Sequence, residues 1–334
     1  MRNLLIKPFF SYLSFVLFIG FAYSTHAQVT HFQPGHATAQ LSFDYFTSGS
    51  NYENNNQFIK LANGGEFSIM HINTRFQYYA SKKFSFYTYG SFHNTTSVLG
   101  NVTRKNTDWP RLTFGTQVSL SKNHLGFFPE FEVSIPFKTV DPNTDEVISD
   151  DGSYHVQAGS WWQKDIWNIF TYTYLGFQYR TEDLSSLLLY KIGMEKRFQQ
   201  FLFGAEVSGH TSILNDTYSD APSVRNNVLS RVNGGSYYTY AVDPALHNIK
   251  IKGGYAFSKN FLTLFHVEST LIGQNSARGL GLWAGVEFRN LFERSAKRKK
   301  RKRRRKKRMK TFKEKTTDYD EDLFRPDSPD ENEF

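Results

Sequence analysis

The chain has 334 residues, 39% hydrophobic and 17% aromatic, with no cysteine and a formal charge of +9. The absence of cysteine excludes a disulfide framework and a thiolate metal site. The 32 Phe and 19 Tyr, against only 21% charged residues, exclude a disordered or coiled-coil chain. A mean hydropathy of -0.51 with so many rings points to apolar residues interleaved with polar ones, the composition of alternating strands.

The positive charge is local. Residues 294–334 hold 17 of the 40 Lys/Arg and 9 of the 31 Asp/Glu, a net +8, so the remainder is close to neutral. At the other end, residues 1–27 have the form of a secretory signal: Arg2 and Lys7, an apolar run from Phe9 to Ala22, and a small-residue exit at Ala27. No later stretch reaches the roughly 18 to 20 apolar residues of a membrane helix. The exported protein is therefore either soluble or crosses a membrane with strands.

Alternation fills the body of the chain. It is clearest over 125–137, where Leu125, Phe127, Pro129, Phe131, Val133, Ile135 and Phe137 share one face and Glu130 and Glu132 the other. Eleven further segments of this kind fall at 36–47, 66–79, 84–95, 111–120, 154–163, 168–180, 184–196, 200–210, 245–257, 261–271 and 279–292. Each has at least ten residues, against about 5–6 for soluble strands and roughly 9–11 for strands that cross a bilayer. The connections alternate between long polar ones (48–65, 96–110, 138–153, 211–244) and tight ones (80–83, 121–124, 164–167, 197–199, 258–260). Two connections break this rhythm, 181–183 by being short and 272–278 by being only moderate.

This organisation resembles the Gram-negative outer-membrane β-barrels. The resemblance covers about 28–292 and includes the last segment, with Leu280, Leu282, Ala284, Val286, Phe288 and Phe292 on one face. It implies an all-β fold: a closed antiparallel up-and-down transmembrane β-barrel of about 12 strands, placed in the outer membrane. Its partners would be outer-membrane lipids and the outer-membrane assembly machinery, which in that family reads a terminal strand closing on Phe, here Phe292. Forty-two residues follow Phe292, so the signal would be internal. Tyr45, Phe46, Trp109, Trp161, Trp162, Trp167 and Tyr237–Tyr240 are candidates for interfacial aromatic girdles.

If the apolar faces meet lipid, their alternates line the lumen: Glu130, Glu132, Glu206, His266, Glu268, Glu287 and Arg289, with Lys191, Glu195 and His210. They form either a structural ion-pair network or a selectivity lining. Only about eight residues precede the first strand, so any gate is expected from loops, above all 211–244. Function follows as a narrow channel or transporter for small solutes. One alternative is a non-conducting anchor or scaffold. A second is a lipid hydrolase built on His210 and Ser212, a His and a Ser two apart that resemble the pair of outer-membrane phospholipases and lipid A deacylases. Those families place the pair toward lipid and follow the His with Ser-Asn, whereas His210 falls on the inward parity and Ser212 is followed by Ile213. Asp141 to Asp145 open like a calcium loop, but Glu146 stands where glycine is needed and Gly152 where glutamate is. No cofactor or metal site is expected.

The tail, 293–334, is a disordered unit by composition: polybasic over 297–310 and acidic over 318–333. Lys297, Arg298, Lys299, Lys300, Arg301, Lys302, Arg303, Arg304, Arg305, Lys306, Lys307 and Arg308 are its binding candidates. With an even number of strands the tail is periplasmic. An export signal argues against nucleic acid and points to anionic headgroups or an acidic periplasmic or envelope partner. Oligomeric state is not specified by these features.

Overall fold

The computed structural model describes residues 32–53, 56–121, 125–292 and Met309. The leader and the charged run of the tail lie outside the described residues. Among the described residues fourteen strands form one antiparallel sheet: β1 (His36–Tyr52), β2 (Phe58–Lys60), β3 (Glu66–Tyr79), β4 (Phe84–Leu99), β5 (Val102–Asp108), β6 (Arg111–Val118) and β7 (Leu125–Pro136), then β8 (His155–Ile166), β9 (Ile169–Arg180), β10 (Ser186–Phe198), β11 (Phe201–Leu214), β12 (Ala245–Ser258), β13 (Phe261–Gln274) and β14 (Ser276–Phe288). β2 and β5 are extensions paired with the ends of β1 and β4. The other twelve close into a barrel, because β14 pairs back onto β1 from Ala39↔Phe288 to Tyr52↔Ser276.

All twelve expected segments are strands in up-and-down order. β1, β4 and β11 run four or five residues past their expected ends, because their ladders continue above the others. β13 and β14 also lengthen, leaving Asn275, with φ of 45°, as the whole connection expected at 272–278. The last strand stops at Phe288. Asn290 and Phe292 have φ of 54° and 70°, outside extended geometry, so Phe292 is not a strand residue and Phe288 is the terminal paired ring.

The two barrel ends differ. The tight connections share one end with the start of β1 and the finish of β14. One of them is a two-residue turn in which Trp167 and Asn168 both have positive φ, as a hairpin that follows strand twist requires. At the opposite end, helix α1 (Ser223–Val232) and the segments around it fold over and into the mouth. Val228, Leu229 and Val232 of α1 pack on Ile148, while Tyr238 packs on Phe46, Phe67 and Val147 inside the barrel. The helix stops at Asn233, after which Gly234 and Gly235 take φ of 61° and 84° and the Gly235 N–H bonds to the Leu229 carbonyl at 3.0 Å.

The outer wall is apolar and exposed, as at Leu41, Phe86, Phe131, Ile192, Phe203, Ile251 and Leu282. Of the girdle candidates, Trp109, Trp162 and Trp167 stand on the outside. Phe46 and Trp161 point inward by strand parity, and Tyr237–Tyr240 belong to the plug, so these do not form a girdle. Ile192 lies midway along β10. Ile192→Arg is expected to destabilise the folded barrel by roughly 2–4 kcal/mol, measured by denaturant-dependent folding into lipid vesicles.

Candidate lumen site

The inward residues form three layers between the mouths. Beneath the plug is a chamber of about 400 Å³, lined by Asp44, Phe46, Arg180, His210, Tyr238 and His266 among others. At the tight-turn end is a second cavity of about 300 Å³, with Gln77, Gln117, Gln163, Glu287 and Arg289 in its walls. Phe32 is buried there, its ring 5.3 Å from Tyr79 and 5.5 Å from Phe128. The stretch before β1 thus contributes a stopper, where closure was expected from loops alone.

Charged side chains and rings occupy the layer between the cavities. Glu206 accepts from Lys252 at 2.6 Å and from the Tyr172 hydroxyl at 2.6 Å, and Lys250 lies 3.6 Å away. Lys250 also pairs with Glu268 at 2.8 Å, and Lys252 approaches Glu195 at 3.7 Å. Across the lumen, Glu132 accepts from the Tyr87 hydroxyl at 2.9 Å, and Glu130 from Trp161 Nε1 at 3.3 Å and Gln117 at 3.4 Å. Arg75 stacks 4.4 Å from the Tyr87 ring centre, and the Lys191 ammonium lies 5.5 Å from Trp161. Cations on this side therefore rest on aromatic faces, an attraction of about 0.5–2 kcal/mol each.

Glycine makes two of these contacts feasible. Tyr87, Gly115 and Glu132 are consecutive neighbours across β4, β6 and β7, and Tyr172, Gly193 and Glu206 repeat the pattern across β9, β10 and β11. A Cβ on Gly115 or Gly193 would lie 2.1 or 2.3 Å from the tyrosine ring. Each ring lies flat over the bare backbone, so its hydroxyl reaches the strand beyond.

The plug is fastened at Asp151, in the 137–154 connection. Its carboxylate faces Arg111 Nη2 at 2.6 Å, His155 Nε2 at 3.0 Å and Arg180 Nη1 at 3.3 Å, and Arg111 also grips Asp150. Burial alone would raise the Asp151 pKa, but His155, Arg111 and Arg180 together hold it well below the ordinary carboxylate value. A second buried pair, Arg225–Asp216, ties α1 to the loop before it. Arg231 donates to the Pro142 and Thr144 carbonyls at 2.5 and 2.9 Å, which anchors the calcium-like stretch through its backbone. Among the described residues no group of three or more metal-ligating side chains occurs.

Glu130, Glu132, Glu206, His266, Glu268 and Glu287 all stand on inward positions. Arg289 follows β14 and its Nε donates to Glu287 at the tight-turn mouth. His266 stacks on Trp283 with 5.0 Å between ring centres. His210 and Ser212 also face inward, and the Ser212 hydroxyl lies 3.0 Å from the Pro244 carbonyl and 3.1 Å from Ser185 Oγ. Asp44, Arg75, Lys250 and Lys252 belong to the same network and escaped sequence reasoning. The alternation of Lys250 and Lys252 with Ile249 and Ile251 was a usable signal for two of them.

No family model and no curated protein matches the sequence. Among solved structures, an outer membrane channel from Pseudomonas putida F1 superposes with a TM-score of 0.59 at 8% identity, covering 80% of this chain and 100% of its own. The transport unit of the autotransporter AIDA-I from Escherichia coli (TM-score 0.42, 8% identity, 84% of this chain and 97% of its own) and the KdgM porin (0.38, 10%, 74% and 98%) overlap more loosely. The chain has the fold of the outer-membrane β-barrels.

Because the Asp151 pKa is depressed, its contribution is complete above the unfolded value of about 3.9 and is lost as pH falls through the lower folded value. Asp151→Asn is expected to cost about 3–5 kcal/mol at neutral pH, a deficit that shrinks only below about pH 4. Thermal melts of both proteins at pH 7 and at stepped acidic pH check this.

Proposed function

We propose that this chain is an outer-membrane channel passing small solutes through a narrow, gated lumen. The observation that carries this reading is lumen space: a closed barrel keeps cavities of about 400 and 300 Å³ on either side of a charged layer. A barrel of twelve strands packed only for rigidity would fill that space with side chains. The long-loop end then faces outward, and the tight turns, both strand termini and the tail face the periplasm. Glu130 and Glu132 are the selectivity-bearing residues of this reading, because neither has a Lys or Arg within ion-pair distance among the described contacts.

A second reading is favoured by the plug, whose buried fastenings suit a barrel that anchors and does not conduct. On that reading residues 297–308 hold anionic headgroups, at roughly 1 kcal/mol per basic residue near the surface, or an acidic envelope partner. Enzyme activity is not part of either reading, since the Ser212 hydroxyl is directed to Ser185 and Pro244. His210→Ala is accordingly expected to leave lipid release by reconstituted protein unchanged.

Planar-bilayer recording of the purified full-length chain separates the two main readings. Discrete small conductances whose cation preference falls in the Glu130→Gln/Glu132→Gln variant support the channel. Silent bilayers, together with a partner captured only when 294–334 is present, support the anchor.

A further inference from the structure

The chamber beneath the plug is one-sided in its free chemistry. Arg180, the cation in its lining, is engaged with Asp151 and the Ser185 carbonyl, and in the charged layer below Lys250 pairs with Glu268 and Glu206, Lys252 with Glu206 and Glu195, and Lys191 lies against the Trp161 and Tyr174 faces. Asp44 differs. Its side chain is 34% exposed, and its ion-pair contact is His71, whose Nδ1 lies 3.6 Å away.

Aromatic groups surround this carboxylate. Phe46 stands two residues along the same inward face, and Trp283 is directly opposite on β14. Tyr238 descends from the plug to 4.7 Å from Phe46. Asn248 is a second polar residue of the wall: its Oδ1 is buried without a hydrogen-bond partner, while its amide nitrogen donates to Glu268 at 2.6 Å. Both Asp44 and Asn248 line the chamber.

We infer that this chamber binds small organic cations, a protonated or quaternary ammonium on an apolar body, with Asp44 as counter-ion and Phe46 and Tyr238 as walls. The inference deepens the channel reading by naming its solute class. A carboxylate beside aromatic faces attracts an ammonium twice, by charge and by the ring quadrupoles. An anion of the same size would meet Asp44 and, among the described lining residues, no guanidinium or ammonium free of a carboxylate. The volume of about 400 Å³ lies within the range of ligand pockets.

Isothermal titration of the full-length barrel, folded in detergent, with benzyltrimethylammonium and separately with benzoate tests this. Saturable binding of the cation is expected, with benzoate at least about tenfold weaker. Asp44→Asn should weaken cation binding by about tenfold or more. Tyr238→Leu, in the plug and not on a barrel strand, should weaken it independently, and Glu66→Gln outside the chamber should leave it unchanged. Equal binding of benzoate, no saturable cation binding, or affinity untouched in both folded chamber variants would overturn the inference. Binding without bilayer conductance removes the channel reading and leaves the site; conductance without binding does the reverse.

Discussion

The rest of the structure depends on the pairing of β14 with β1. Inside hydrocarbon an unpaired backbone N–H or C=O has no water to turn to, so a sheet can cross only when it has no edge. Closure over thirteen residue pairs, from Ala39↔Phe288 to Tyr52↔Ser276, meets that condition. It also fixes the radial direction of every side chain, because a strand has period two and a closed sheet has only an inside and an outside. Once Leu41 and Leu282 face lipid, Asp44 and Trp283 must face the lumen.

A twelve-stranded lumen is too narrow for its charges to keep full hydration shells, so each inward charge needs a neighbour. The barrel uses two kinds. On the β11–β13 wall, Glu206, Lys250 and Glu268 alternate in sign around the circumference, and Lys252, two residues along β12, pairs with Glu206 and Glu195. On the β3–β10 wall, Arg75 and Lys191 lie against tyrosine and tryptophan faces, while Glu130 and Glu132 take neutral donors. The rows Tyr87–Gly115–Glu132 and Tyr172–Gly193–Glu206 show how this is done without filling the lumen. A ring laid along bare backbone takes little radial space, yet its hydroxyl makes a charge-assisted bond of about 1.5–3 kcal/mol. The outer wall repeats the arrangement at Tyr190, Gly209 and His247, where the tyrosine hydroxyl meets the imidazole.

The barrel wall was legible in the sequence because one rule governs all of it: in 125–137, as in the other segments, lipid demands apolar side chains at every second position. Partner choice was not legible. Which glutamate Lys250 meets depends on the register of β12 against β11 and β13, and register is not encoded in either strand's own pattern. The mouths were harder still. A tyrosine run such as Tyr237–Tyr240 has the same composition whether it lies at a headgroup interface or inside a plug, and Phe32 stands alone in a short segment with no periodicity. The terminal ring was misplaced by four residues, since Phe292 keeps the parity of β14 although the backbone at Asn290 has already left it.

The closures of the two mouths differ in strength, and that difference orders any passage through the lumen. Opening the long-loop end means separating Asp151 from three cationic or donor groups and Asn233 from both its bonds to Ile148, at 2.9 and 3.1 Å. It also breaks the link between Asn51 and Gly235 at 2.6 Å. Each buried group left unpaired costs about 1–3 kcal/mol. At the tight-turn end the obstacle among the described residues is the Phe32 ring, held by two aromatic contacts worth about 0.5–1.5 kcal/mol each beyond its buried area, with the Gly35 N–H bonded to the Tyr79 carbonyl at 2.8 Å. By these contacts alone, displacing Phe32 breaks fewer buried polar interactions than displacing the plug. On the channel reading, a solute in the upper chamber would exchange with the tight-turn side through the charged layer, and its release past the plug would require the costlier opening. A ligand that displaced Tyr238 from Phe46 would weaken the plug from within, because the same ring closes the chamber and packs the underside of the loops.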